Sequence, residues 1–218
     1  MLSAYLIRHA ESTANAGHAT LSPESIPLTG KGHAQAQALA GALAVRPAQI
    51  VHSPFARAQQ TAAPLIARHP AATVLELPVQ EFTYLNTQAW AGTTAAQRWP
   101  AVAAYWNKAD PDCCDGPGTE SFSGLMQRAA ALLQWLAAQP AQELCVVSHG
   151  IFICAALWVQ RHGSAVLAAR KMVEFRSFQQ ASAPLNVSVT HLRFASGPAV
   201  HISPTLVTLG HDMPPLAP

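Results

Sequence analysis

The sequence predicts a three-layer α/β/α sandwich on a mainly parallel sheet, and three observations carry that prediction. Short apolar runs of strand length recur along the chain. Longer segments with helical composition or spacing stand between them, the alternation that folds as parallel strands joined by crossover helices. Several of the apolar runs also stop abruptly at charged or hydroxyl residues. In open α/β sheets, ligands bind beyond the carboxyl ends of the strands.

Residues 3–7 read as a first buried strand, closed by Arg8 and His9. "GKGHAQAQALAGAL" from Gly30 is rich in alanine and leucine, which favours helix. "QIVHS" is a second short strand, followed by "ARAQQTAAPLIARH", whose apolar positions recur at helical spacing. "TVLEL" is a third strand, with Glu81 beyond it. Residues 82–118 break the alternation. They contain Tyr84, Trp90, Trp99, Tyr105 and Trp106, then the turn-forming "DPDCCDGPG", and read as a variable, lid-like insertion. "SFSGLMQRAAALLQWLAAQ" is an amphipathic helix and "ELCVVS" a fourth buried strand. "GIFICAALWVQRH" and much of "SAVLAARKMVEFRSF" continue as helix. "NVSVTHLRF" and "AVHIS" are expected edge strands, and the proline-rich end, from about residue 211, a loose tail.

The 218 residues suit a single domain over 1–218, with half of them apolar and 11% charged, a globular composition. A net charge of +2, dispersed along the chain, argues against a nucleic acid or membrane partner. The first apolar run breaks at Arg8 with no basic region before it, unlike a signal peptide. No run approaches the roughly 18–20 apolar residues of a membrane span. Cys113 and Cys114 are neighbours, and Cys145 and Cys154 lie in core-like segments, so neither a disulfide framework nor a CxxC zinc site is expected. A cytoplasmic location follows. The oligomeric state stays open, a homodimer included.

With parallel strands, Arg8 and His9, Ser53 and Arg57, Glu81, and Ser148 with His149 gather along one sheet edge. Two arginines and two histidines there form a concentrated cationic pocket. Guanidinium forks match phosphoryl oxygens and stay charged. A histidine among them would be held neutral and nucleophilic by its positive neighbours. Phosphoryl transfer needs placement, neutralised oxygens and a proton for the leaving group, which a rim carboxyl such as Glu81 could supply.

The segments "LIRHAESTAN", "LTGKGHAQAQAL", "SPFARAQQTA", "QEF", "GTESF" and "VVSHG" occur in this order, and over roughly residues 4–160 the chain resembles the histidine phosphatase (phosphoglycerate mutase-like) superfamily. The resemblance implies that His9 is transiently phosphorylated. Arg8, Arg57 and His149 would bind phosphoryl oxygens, and Glu81 would protonate the leaving oxygen and then activate water. Asn15 would hydrogen-bond the phosphate or the neighbourhood of His9, and Ser12 stands where the family often has a hydroxyl residue. No metal or organic cofactor is implied. Ala10 departs from the commoner glycine of the RHG triplet, and the sequence after Glu81 diverges apart from a W-x-G echo.

Each residue also has a plainer reading. Arg8 and His9 could end a strand at solvent, Arg57 could sit on a helix surface, His149 could cap a helix, and Glu81 could be a loop carboxylate. Glu11 and Glu76 are the rival acids. The remaining histidines show no ligand spacing, and Asn186 in "NVS" matches a glycosylation pattern that a cytoplasmic protein would not use. The aromatic group from Tyr84 to Trp106 reads as a small local core, part of it lining the mouth of the site.

Residues 70–97 contain no lysine or arginine, and "ADPDCCDGPGTE" is acidic. A rim so poor in extra cations favours hydrolysis of a small phosphorylated substrate, a monophosphate, over mutase chemistry on a bisphosphate. A phosphoprotein phosphatase and a non-catalytic phosphate-binding module remain the other readings. A serine hydrolase is disfavoured because "VVSHG" lacks a GxSxG elbow.

Overall fold

The computed structural model describes residues 1–140, 142–163 and 169–194. Five strands form one sheet in the order β3-β2-β4-β1-β5. These are β1 (Leu2–Arg8), β2 (Gln49–His52), β3 (Thr73–Glu76), β4 (Glu143–Ser148) and β5 (Val189–Phe194). The pairs β1–β4, β4–β2 and β2–β3 are parallel, while β5 runs antiparallel on the outer edge of β1. The helices among the described residues are α1 (Gly30–Ala42), α2 (Ala56–Arg68), α3 (Ala95–Lys108), α4 (Phe122–Ala137), α5 (Gly150–His162) and α6 (Ala169–Ser182).

Successive strand residues face opposite sides of a sheet, so strands apolar at every position need cover on both faces. Ile7, Ile50, Cys145 and Val147 join Leu39 of α1 and Leu65 of α2 in one cluster. Their neighbours Leu6, Val51, Leu144 and Val146 join Leu125, Phe152 and Phe175 of α4, α5 and α6 in the other. Each fully buried side chain of this size contributes about 1.5–3 kcal/mol. The expected α/β/α sandwich is therefore the observed one, with the element boundaries displaced by one or two residues at most ends.

The insertion at 82–118 is more ordered than its sequence suggests. It contains α3, started by a capping box in which Thr94 and Gln97 satisfy each other's backbone amides. Tyr105 and Trp106 of α3 are buried with Phe82, and Trp106 lies at ring-contact distance from Phe175 of α6. The insertion is also pinned to the 12–28 loop: the Thr20 N–H donates to the Thr93 carbonyl at 3.0 Å and the Gly92 N–H to the Thr20 carbonyl at 2.8 Å. The strand expected at 199–203, the tail from about 211 and the helical reading of 164–168 lie outside the described residues. Among the described residues no helix is long and apolar enough to cross a membrane.

Thr29 caps α1 by accepting from the Gly32 N–H at 2.9 Å, and its own N–H donates to the Glu11 carbonyl at 3.0 Å. A Cβ on Gly32 would lie 2.0 Å from that carbonyl oxygen. Gly32→Ala should force the His9–Ser12 loop away from α1 and cost about 1–3 kcal/mol, read as a lower urea midpoint; an unchanged midpoint would contradict this packing.

Candidate active site

The parallel register brings the strand ends together. Arg8 is level with Ser148, and the His9 N–H donates to the Ser148 carbonyl at 2.9 Å. The Ala10 N–H donates to Thr61 Oγ1 of α2 at 3.0 Å, and Thr61 Oγ1 donates to the Arg57 carbonyl at 2.6 Å. Thr61 thus links the backbones on either side of the pocket. Ala10 is fully buried and clusters with Leu28 and Ala36, so its methyl fills space between the loop and α1.

His9 is nearly buried and its tautomer is fixed by its neighbours. Nδ1 lies 2.7 Å from the Ala10 carbonyl oxygen and Nε2 lies 3.2 Å from Arg57 Nε. A carbonyl only accepts and a guanidinium only donates, so Nδ1 carries the proton and Nε2 presents its lone pair. Burial first, then the Arg57 charge, pushes the imidazole pKa down to about 3. Arg57 is itself buried, and burial brings its pKa down to about 10, where it is still protonated at neutral pH. Its Nη1 donates to the Pro23 carbonyl at 2.6 Å.

His149 is completely buried at the start of α5, its ring 5.0 Å from that of His9. It makes no side-chain cap for the helix. Nε2 shares a 2.7 Å hydrogen bond with Ser53 Oγ, while Nδ1 is buried without a partner. Burial and then the Arg57 charge hold this imidazole well below its ordinary pKa. Arg8 reaches the Pro184 carbonyl through Nη1 at 2.6 Å, and its Nε is likewise buried and unpartnered. Buried polar atoms are normally paired, and these two orphans belong to two of the three groups, Arg8, Arg57 and His149, that the resemblance assigns to the phosphoryl oxygens.

Glu81 does not end β3. The chain leaves β3 at Glu76 and doubles back through residues 77–80, held by Ser148 Oγ donating to the Val79 carbonyl at 2.6 Å. Arg128 of α4 donates through Nη1 to the Pro78 and Gln80 carbonyls and pairs through Nε and Nη2 with the two carboxylate oxygens of Glu120, the acid of "GTESF". The carboxylate of Glu81 then accepts from the first free amides of α5, Ile151 at 3.1 Å and Phe152 at 3.3 Å. It supplies the cap that His149 does not. The rival acids are committed elsewhere: Glu11 to Lys31 and Thr29, Glu76 to Gln59 on the surface.

Ser12 and Asn15 bond to each other, Ser12 Oγ donating to Asn15 Oδ1 at 3.0 Å. They reach His9 through Asn186, whose "NVS" context points only to a glycosylation pattern: its Nδ2 donates to the His9 carbonyl at 2.9 Å and to Asn15 Oδ1 at 3.3 Å. Asn186 lies just before the edge strand β5, and only the antiparallel return of β5 beside β1 could have disclosed it. Glu24, also not anticipated, acts electrostatically on Arg57.

Arg57, Glu81 and Ile151 open onto a cavity of about 450 Å³ under the insertion. Its walls include Phe82, Tyr84, Trp90, Trp99 and Val102, so the aromatic segment is divided between a local core and this wall. The expectation of a rim without extra cations is overturned. Arg98 of α3 and Arg176 of α6 both line the cavity. Arg98 falls one residue past the cation-free stretch, and Arg176 comes from a helix distant in sequence, which a count over 70–97 could not register.

The two neutral imidazoles make stability depend on pH with a definite sign. An unfolded histidine takes up a proton near pH 6.5, whereas His9 refuses it until about pH 3. The stabilisation is therefore fully present above about 6.5 and is lost as pH falls, each such group adding a slope of about 1.4 kcal/mol per pH unit. Thermal unfolding should show the melting temperature falling from pH 7 to pH 5, with a shallower fall for His9→Gln; equal slopes would contradict a neutral buried His9.

A model of the histidine phosphatase superfamily (branch 1) matches residues 4–200. No curated protein matches the chain. Among solved structures, a phosphoserine phosphatase mutant from Entamoeba histolytica in complex with phosphoserine superposes with a TM-score of 0.71 at 21% identity, covering 94% of this chain and 95% of that one. A mycobacterial glucosyl-3-phosphoglycerate phosphatase with VO3 gives 0.66 at 24% identity, covering 88% and 90%. A protein described as mycobacterial hydrolase 1 gives 0.68 at 23% identity, covering 91% and 92%. These likenesses establish a shared fold. With the family match spanning nearly the whole sequence, the chain belongs to the histidine phosphatase superfamily, branch 1.

Proposed function

We propose that the protein is a phosphomonoester hydrolase that works through a phosphohistidine at His9 on a small monophosphorylated substrate, without a metal ion. The observation that carries the proposal is the His9 lone pair: Nε2 is deprotonated, faces Arg57 Nε at 3.2 Å, and stands beside His149 and Arg8.

In the first step the phosphoryl oxygens take the donors of Arg57 and Arg8 and the Nδ1 side of His149, and Nε2 of His9 attacks phosphorus. The P–N bond forms as the bond to the leaving oxygen breaks, and the Glu81 carboxyl delivers its proton to that oxygen. The Nδ1 hydrogen bond to Ala10 disperses the charge that develops on the ring. In the second step the Glu81 carboxylate takes a proton from water, the water oxygen attacks phosphorus, and His9 leaves with its Nδ1 proton in place. Fixed guanidinium charges stabilise the equatorial oxygens in both steps.

The cations of the cavity remove one support for hydrolysis over mutase chemistry. What supports hydrolysis is the wall itself, dominated by Phe82, Tyr84, Trp90, Trp99 and Val102, which suits an apolar leaving group better than a second hydrated phosphoryl group. Phosphoserine and glucosyl-3-phosphoglycerate, named with two of the structural neighbours, belong to a first substrate panel alongside aryl phosphates.

Hydrolysis of p-nitrophenyl phosphate should persist in EDTA and fall by about a thousandfold or more in His9→Ala. Glu81→Gln, which keeps an oxygen for the α5 amides, should lower kcat/KM by about a hundredfold or more for alkyl phosphates and much less for aryl phosphates with good leaving groups. Equal losses on both classes would remove Glu81 from the acid role, and activity surviving in His9→Ala would name another nucleophile.

A further inference from the structure

The cavity has cationic groups beyond those assigned to the phosphoryl group. Arg57 and Glu81 line it together with Arg98 and Arg176. The latter two come from α3 and α6 and not from the segments that carry Arg8, His9, Arg57 and His149, and each interacts electrostatically with Tyr84. Arg98 belongs to α3 and Arg176 to α6, and Tyr84, Trp90 and Trp99 line the same cavity.

Neither arginine has a carboxylate partner among the described residues. Arg98 Nη1 donates only to neutral oxygens, the Thr93 carbonyl at 2.6 Å, Thr93 Oγ1 at 3.1 Å and Thr20 Oγ1 at 3.3 Å. Arg176 Nη1 donates to Gln179 Oε1 at 2.7 Å, and its guanidinium lies 4.9 Å over the Trp106 ring. Both are partly desolvated, which lowers each pKa. Two guanidinium groups thus line one cavity, each partly desolvated and positioned through neutral contacts, and a partly desolvated cation without a counter-charge is costly unless an anion joins it. The carboxylate nearest the cavity is Glu81, and its oxygens face the α5 amides.

We propose that Arg98 and Arg176 form an anion subsite for the leaving group, so that the preferred substrate is a phosphomonoester with a flat apolar body ending in a carboxylate. The phosphoryl group lies on Arg8, Arg57 and His149, the body lies along Tyr84, Trp90 and Trp99, and the carboxylate meets the α3 and α6 guanidinium groups. Arg98 also donates to Thr20 Oγ1 of the 12–28 loop, so the residue that reads the substrate also ties the insertion to another wall of the cavity. This inference names the substrate class of the proposed hydrolase and rests on that reading for its phosphoryl end alone.

The test compares three esters: phosphorylated hydroxyphenylpropionic acid, its carboxamide counterpart and phenyl phosphate. Wild type should hydrolyse the acid with kcat/KM about tenfold or more above the carboxamide, the scale of a charge-assisted hydrogen bond. Arg98→Gln and Arg176→Gln should each reduce the acid-to-amide ratio at least about fivefold, a readout that a general loss of structure does not move. Binding of the two unphosphorylated phenols, followed by tryptophan fluorescence, should show the same preference independently of turnover. Equal kcat/KM for acid and amide, or ratios untouched by both variants, would overturn the subsite. If none of the esters is hydrolysed yet the unphosphorylated acid is still preferred in an arginine-dependent way, the subsite stands and the hydrolase reading falls.

Discussion

Arg57 donates through Nε to Nε2 of His9, and that contact can exist only while the imidazole is neutral. Much of the architecture bears on keeping it so. The ring is buried where β1 ends, its other nitrogen is occupied by the Ala10 carbonyl, and positive groups stand on more than one side. A sheet with β4 between β1 and β2 is what delivers Arg8 and His9, Ser53 and Arg57, and His149 to one edge. Such a gathering of cations is unfavourable by itself and is offset by neutral histidines and by Glu81, which acts on both Arg8 and Arg57. A bound phosphoryl dianion would relieve the same repulsion, so the pocket's electrostatic cost becomes affinity when it is filled.

Glu81 joins the cluster of Arg8, His9, Arg57 and His149 to the rest of the fold. Its carboxylate completes the N-terminus of α5, the helix that begins directly after His149, so Glu81 and His149 are placed by one junction. The return from β3 to that junction depends on Arg128, whose two bonds to Glu120 and two to the 78–80 backbone clamp a stretch with no regular structure of its own. The insertion then closes the cavity from above through α3 and its bridge to Thr20.

Most of the sheet was legible because fully buried strands leave uninterrupted apolar runs, and residues at their ends are local in sequence. Arg8, His9, Arg57 and His149 lie within a few residues of such ends, so the parallel alternation was enough to bring them together. Residues brought in by long-range return were not legible. Asn186 reaches the His9 carbonyl only because β5 pairs antiparallel to β1, and its sequence context suggested something else. Arg176 meets the cavity through the packing of α3 on α6, and aromatic residues between 82 and 118 obscured a helix whose apolar face serves two purposes, core on one side and cavity wall on the other. The misjudged cation count came from the same source, a linear window standing in for a surface assembled from several elements.

The central claim is that His9 Nε2 is the atom that receives the phosphoryl group. The most direct measurement is rapid quenching of Glu81→Gln with an aryl phosphate in alkaline conditions, followed by peptide mass spectrometry. The account predicts an adduct of one phosphoryl group on the peptide containing His9, stable in alkali, lost in acid and absent from His9→Ala. Turnover by the wild type with no trapped adduct on His9, or an adduct on another residue, would contradict it.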